Sequence, residues 1–479
     1  MPQWLGNLLP IVLLLLTVGV VLNRLPKVDL GHSPAFRRRR VSNWVPLGLT
    51  YAFLYFGRYN LGAIVDLLEK DGLLTKAQFG DIDAVGAAVY GCAFLLNGPL
   101  TDRWGGRVTL LLAAGGAAVA NTLMAVVMWQ VTSGAWPKDA LVPAFLGLNA
   151  LNMYFQSFGA VSIVKVNAPW FHVRERGVLG GLFGVLISLG LYFSYDWAKA
   201  LAEAYGYVTA FWVPGAVLAG CLAVAAFVIR DSPAKAGFAD FDTGDASSGQ
   251  TAPVGLAAVA RKMLTQRVIL IIVAVEFCSG FLRQGVMKWF RPYAKAIGQT
   301  DFVYRNWGML LCIAGILGGV FAGFISDHVF GSRRGPVAAV LYGGMLAGCA
   351  GAVLAVGTPA MSWLMVFMSL CVIGVHGMLS GTASADFGGT KNAGLVTGII
   401  DGFVYFGTAA QAFVFGRLLP SGGEAKDAAN WVRWPIAMVP IALAGLYLAS
   451  RVWNATPKRL SEPVPVAVAA TVPKTGASG

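Results

Sequence analysis

Residues 47–68, LGLTYAFLYFGRYNLGAIVDLL, carry an arginine, Arg58, in the middle of an apolar run long enough to cross a bilayer. Residues 268–290, VILIIVAVEFCSGFLRQGVMKWF, do the same with Arg283, 225 positions later. The offset recurs downstream: Asp102 of GPLTDRWGGR (98–107) and Asp327 of GFISDHVFGSRR (323–334) are also 225 apart. Two halves on one plan each set a cation inside the membrane. That is expensive in hydrocarbon and marks a place where the charge is used.

The rest of the chain has the composition that such a pair requires. At 479 residues, 57% hydrophobic and 12% charged, with a mean hydropathy of +0.66, it has too little polar surface for a soluble globule and reads as a polytopic membrane protein. Spanning helices are expected near 44–68, 81–100, 108–130, 140–164, 177–197, 208–229, 268–290, 307–327, 336–356, 361–381, 394–418 and 433–450. Short alternating strand patterns are absent, so the class is all-α rather than a barrel. The expected organisation is two six-helix bundles, 44–230 and 268–450, joined by a small-residue, polar linker at 231–267 that reads as a flexible hinge. Residues 451–479, rich in Pro, Ala and Val, read as a disordered tail. Residues 1–43 read as an extra hydrophobic segment followed by a basic loop. The stretch 4–22 has neither a basic n-region nor a small-residue cleavage site, which predicts a retained thirteenth helix.

Basic residues cluster at 24–40, at Arg103 and Arg107, at Arg174 and Arg176, at 230–267, at Arg333 and Arg334, and in the tail. The alternate loops carry one basic residue or none, so the basic loops and the C-terminus are expected on the cytoplasmic side. The net charge of +13 follows from that bias and from attraction to anionic lipid, and is not read as nucleic-acid binding. All six cysteines lie in apolar segments without metal-ligand spacing, and the four histidines are scattered. No nucleophile triad, HExxH or phosphate-loop motif gives enzyme chemistry a seat, and no cofactor or metal is expected.

The loop GPLTDRWGGR resembles the conserved loop of the major facilitator superfamily, and GFISDHVFGSRR is its counterpart in the second half. Asp102, Arg103, Arg107, Asp327, Arg333 and Arg334 are therefore expected as gating-loop residues, each carboxylate capping a helix and pairing with basic groups when the inner side is closed. A bare positive-inside bias is the simpler alternative for the arginines. Within the superfamily the chain resembles the organophosphate:phosphate antiporters, in TYAFLYFGRYNLG (50–62), QSFGAVSIVKVNAPWFHVRERG (156–177) and GFLRQGVMKWFRPY (280–293). SADFGG (384–389) and GIIDGFVYFG (398–407) are similar to the sugar-phosphate branch.

The resemblance implies a major facilitator fold with a central cavity, and a small-molecule anion, phosphate or organophosphate, held by Arg58 and Arg283 in a bacterial inner membrane, where the protein is expected to be a monomer. Guanidinium chemistry agrees: it stays protonated when desolvated, and its planar fork matches two phosphate oxygens. Tyr51 and Tyr55 precede Arg58 by seven and three residues, so the three share a helical face. By resemblance Tyr405, Gln156 and Lys165 also line the site, Lys165 having an interfacial alternative. The fifth-helix histidine common in the family is missing, with Ile187 in its place. An acid common five residues after the seventh-helix arginine is replaced by Lys288, a third cation if it faces inward. Intramembrane Glu276 and Asp401 are expected to balance charge or carry a proton, and His376 is a candidate to line the cavity. The function expected is exchange of inorganic phosphate for a phosphorylated metabolite. Proton-coupled anion symport and membrane sensing of phosphorylated sugars stand as alternatives.

Overall fold

The computed structural model describes residues 31–172, 176–243, 267–330 and 333–454, with isolated positions at 12, 16, 17, 19, 20 and 265; side chains at 176–183, 327–328 and 380–397 lie outside the description. The expected first span at 4–22, the tail beyond 454, Arg174, the Asp327 side chain and the SADFGG side chains thus fall largely or wholly outside it.

Every expected span from 44 onward is found as helix: α1 Pro34–Ala63, α2 Val65–Lys70, α3 Lys76–Trp104, α4 Gly106–Thr132, α5 Leu141–Asn167, α6 Arg176–Tyr192, α7 Ala198–Tyr205, α8 Thr209–Val228, α9 Arg267–Met287, α10 Phe290–Ala296, α11 Phe302–Arg305, α12 Trp307–His328, α13 Arg334–Ala355, α14 Ala360–Leu418 and α15 Arg433–Arg451. No strand occurs among the described residues.

Three boundaries differ from expectation. Helix α1 begins at Pro34, so residues 34–43 of the expected basic loop are helix continuous with the span. The Ser33 hydroxyl accepts from the Phe36 amide at 3.2 Å and Pro34 opens the first turn, a strong start signal beside the arginines. Residues 231–243 of the expected flexible linker fold back on the first half. Phe238 and Phe241 pack edge-on against Phe36, each at 5.7 Å, in a cluster with Trp170.

The third difference is α14, whose helical backbone runs without a break through both expected spans, 361–381 and 394–418. It cannot be straight. Glu276 meets His376, and Gly280, one turn further along α9, abuts Val404. Residues 376 and 404 would stand about 42 Å apart on a straight helix at 1.5 Å per residue, so the chain reverses between them and forms an antiparallel pair.

Small residues set how closely the halves approach. Along α3 and the second arm of α14, Gly80 meets Ala412 and Gly416, Gly91 meets Gly402, and Phe94 meets Gly398. Gly280 and Gly407 bring α9 against the same arm, backbone to backbone, at Val404 and Phe277. Close backbone approach is the usual means of helix association where lipid supplies no hydrophobic drive. Gly407→Leu is accordingly expected to cost about 1–3 kcal/mol through overpacking, read as a lowered Tm in detergent, whereas Gly343→Leu, with open space at its Cβ position, leaves Tm unchanged.

Candidate functional site

Arg58 and Arg283 are both buried, 5% and 7% exposed. Arg58 Nε donates to Gln156 Oε1 at 2.8 Å and Nη1 to the Tyr405 hydroxyl at 2.9 Å, a contact between the two halves. Its guanidinium lies over the rings of Tyr55 at 4.5 Å and Tyr90 at 4.8 Å, where aromatic faces partly replace the hydration that burial removes. Tyr55, Tyr59 and Tyr405 lie within electrostatic range of both guanidinium groups, which gathers the two arginines around one cluster of tyrosines. Tyr51 stacks edge-on against Tyr55 at 5.4 Å.

Adjacent to the arginines, Gln284 donates to the Tyr59 hydroxyl at 3.2 Å across 225 residues. That is the repeat offset, so equivalent positions of the two halves touch. Such residues can meet only at the pseudo-twofold axis, and the arginines one position earlier flank it.

Two guanidinium nitrogens, Arg58 Nη2 and Arg283 Nε, are buried without a hydrogen-bond partner. A buried donor left unpaired costs about 1–3 kcal/mol, more when it is charged. The tyrosine cluster therefore holds unpaired cationic donors from both halves.

Behind Arg58 runs a buried amide ladder. Gln156 Nε2 donates to Asn152 Oδ1 (3.0 Å), Asn121 Nδ2 donates to the same oxygen (3.3 Å), and Asn60 Nδ2 donates to Asn121 Oδ1 (2.8 Å). Asn152 and Asn121 also donate to the Gly57 carbonyl. The ladder fixes the orientation of Gln156 and hence of the fork it holds.

The remaining expected site residues separate. Lys165 lies at the basic-loop end, partly exposed, and its ammonium binds Asp102 at 2.7 Å, away from the tyrosine cluster. Lys288 is buried and faces inward over Tyr59 at 5.5 Å, yet Asp83 of α3 holds it through both carboxylate oxygens at 2.5 Å. The third cation is thus neutralised across the halves. Glu276 and His376, predicted separately, come together at 3.2 Å, with Arg283 and Asp401 nearby.

Among the loop residues, Arg103 is exposed. The Arg107 amide donates to Asp231 at 2.7 Å and its side chain to the Ala226 carbonyl at 2.5 Å, all within one half. Arg333 lies exposed against Phe330 and Asn454, again within one half. Among the described residues, the charged links seen between halves sit at the opposite end. Arg291 binds Asp196 at 2.6 Å, and Asp196 also accepts from the Gly308 and Met309 amides at the start of α12. Asp196 reaches them from a π-helical turn, Phe193–Trp197, which re-aims side chains by adding a residue to the turn. Lys199 and Asp66 pair at 2.5 Å and share the Tyr304 hydroxyl of the second half. Arg417 binds Asp81 at 2.7 Å.

Sequence reasoning missed Tyr59, Tyr90, Asp83, Gln284 and the asparagines. Tyr59 continues the four-residue spacing of Tyr51 and Tyr55, and Asp83 is an acid at the edge of an apolar run; both signals were present. Tyr90, which stacks on Tyr405 at 3.8 Å, had none.

The model of the Major Facilitator Superfamily matches residues 47–412. The chain belongs to this superfamily of membrane transporters. Among curated relatives it is 25% identical to the membrane sensor protein UhpC of Escherichia coli strain K12, over 82% of this chain and 88% of that protein. It is also 25% identical to the glycerol-3-phosphate transporter of Bacillus subtilis strain 168, over 89% and 95% of the respective lengths, and 24% identical to a probable hexose phosphate transport protein of Chlamydia pneumoniae, over 88% and 92%. Among solved structures, the inward-facing, unoccupied form of a bacterial homologue of the human lysosomal transporter Spinster superposes with a TM-score of 0.65, covering 88% of this chain and 98% of that one at 12% identity. The superfamily chain is therefore a multi-pass membrane protein with the major facilitator fold.

Asp83→Asn leaves Lys288 buried without its counter-charge and is expected to destabilise the protein by about 3–5 kcal/mol, measured as loss of Tm. Combining it with Lys288→Met restores most of that loss, because the cost lies in the stranded charge.

Proposed function

We propose that this superfamily member exchanges inorganic phosphate for a phosphorylated small metabolite, a sugar phosphate or glycerol phosphate, across a bacterial inner membrane, with its C-terminus cytoplasmic. The observation that carries the reading is the pair of repeat-equivalent arginines sharing one cluster of buried tyrosines beside the pseudo-twofold axis, each with an unpartnered guanidinium nitrogen. The names of the glycerol-phosphate and hexose-phosphate relatives support the substrate class. In this reading Arg58 and Arg283 hold the phosphate, while Tyr51, Tyr55 and Tyr405 complete the site and contact oxygens of the phosphate or of its substituent.

Two +1 groups and a −2 phosphate leave the closed site almost neutral, whereas closing it empty confines two like charges in a medium of low polarity. Reorientation is then favourable only with an anion aboard, which yields exchange rather than one-way passage. The 44–230 and 268–450 bundles rock about the bound anion. The links of Arg291, Lys199 and Arg417 open on one side while Asp102 and Asp327, with their neighbouring arginines, fasten the other.

Counterflow in proteoliposomes tests this. Labelled phosphate is expected to enter only vesicles preloaded with phosphate, glucose 6-phosphate or glycerol 3-phosphate, at a rate at least about tenfold above empty vesicles; equal uptake into empty vesicles contradicts exchange.

The contact between Glu276 and His376 beside Arg283 favours a second reading, proton-coupled anion symport with Glu276 as the proton carrier. It requires uptake driven by a pH gradient without internal phosphate, a flux that exchange does not give. The similarity to UhpC favours a third, sensing of a phosphorylated sugar, for which ligand binding without turnover is the signature.

A further inference from the structure

A second basic site lies at the other side of the first half, outside the membrane core. A pocket of about 470 Å³ is lined by Arg39, Ser42, Phe227, Val228, Arg230 and Lys235 among others. It is formed where the N-terminal extension of α1 crosses the last turn of α8 and the start of the folded linker.

Arg39 is held firmly there. Its Nη2 donates to the Val228 carbonyl at 2.8 Å and its guanidinium lies 5.6 Å from the centre of the Trp170 ring. Its Nη1 is buried with no hydrogen-bond partner. Burial, and then the charge of Arg230, lower the Arg39 pKa from its ordinary value; the two cations repel across the pocket. The acid at hand does not relieve them, because Asp231 is committed to the Arg107 amide at 2.7 Å and to the Lys235 ammonium at 3.1 Å. The pocket is thus a clamped cation with an unused donor, a second arginine facing it and, at the rim, a lysine already paired with Asp231.

One wall is apolar and exposed. Phe227, 80% exposed, and Val228 close the C-terminal end of α8, a helix apolar enough to cross the membrane. A soluble anion gains nothing from that wall, whereas a phospholipid sets its phosphate on the arginines and its chain on Phe227.

We propose that this pocket binds the headgroup of an anionic phospholipid in the leaflet at the basic end, with the phosphate on Arg39 and Arg230 and the rim lysine beside them. Lipid bound here bridges α1, α8 and the linker and braces the base of the first bundle.

Native mass spectrometry of the full chain, released from detergent with phosphatidylglycerol or with phosphatidylcholine of identical chains, reads this directly. Phosphatidylglycerol is expected to bind at least about tenfold more tightly. Lys235→Gln, at a side chain 64% exposed and so harmless to folding, weakens it about fivefold, the factor that corresponds to about 1 kcal/mol per interfacial cation. Adding Arg39→Gln weakens it further by a similar factor. Equal binding of the two lipids, or a preference unchanged in both variants, overturns the proposal. Displacement of phosphatidylglycerol by equimolar inorganic phosphate also overturns it, by making the pocket a soluble-anion site.

Discussion

Two guanidinium groups that cannot give up their protons are held in the middle of a membrane protein, and the surrounding structure exists to make that tolerable. Desolvating one such group costs several kcal/mol even after relaxation. The protein offsets the cost for Arg58 with two side-chain acceptors and two ring faces, and it stops short of satisfying every donor. A fully paired arginine would be a structural ion. In the proposed function, one left a donor short at the pseudo-twofold axis waits for a ligand that brings its own oxygens.

Symmetry explains why the pair is possible at all. The repeat places equivalent segments on either side of one axis, so a cation at the same position of each half appears twice at the centre, and Tyr59 and Gln284 touch because they occupy the same position in the two halves. Divergence then separates the roles. At the end opposite the basic loops, Asp196, Asp83, Asp81 and Tyr304 join the halves through charged links. At the basic end the charged groups Asp102, Lys165 and Arg107 engage partners within their own half. Among the described residues the halves are fastened by charge at one end, the asymmetry that the proposed alternating access would need in either of its end states.

The fold was legible because its signals are local and redundant: apolar runs of bilayer length, loop motifs repeated at one offset, and charge alternating between loops. The two arginines were legible for the same reason, since a charge inside an apolar run has no ordinary explanation. Tertiary partnership was not. Lys288 reads as a third site cation until Asp83, more than two hundred residues earlier, is seen to hold it. Lys165 sits in a stretch that resembles the family's binding helix, but the turn of α5 carries it down to Asp102. Glu276 and His376 looked unrelated because they sit on different helices a hundred residues apart, and no spacing along the chain predicts which faces of α9 and α14 meet. The amide ladder from Gln156 to Asn60 is scattered over three helices, and single asparagines in apolar segments carry no spacing that predicts their meeting.

The account depends on the two arginines acting as one anion site, and calorimetric phosphate binding across a double-mutant cycle tests that most directly. Arg58→Lys and Arg283→Lys should each weaken binding by at least about thirtyfold, in line with the 2–5 kcal/mol lost when one partner of a buried hydrogen-bonded charge pair is truncated. The double variant should be weaker than either single by less than about tenfold, because the second arginine no longer has a ligand to share. Losses that simply multiply, or phosphate binding that survives in either single variant, would contradict a shared site.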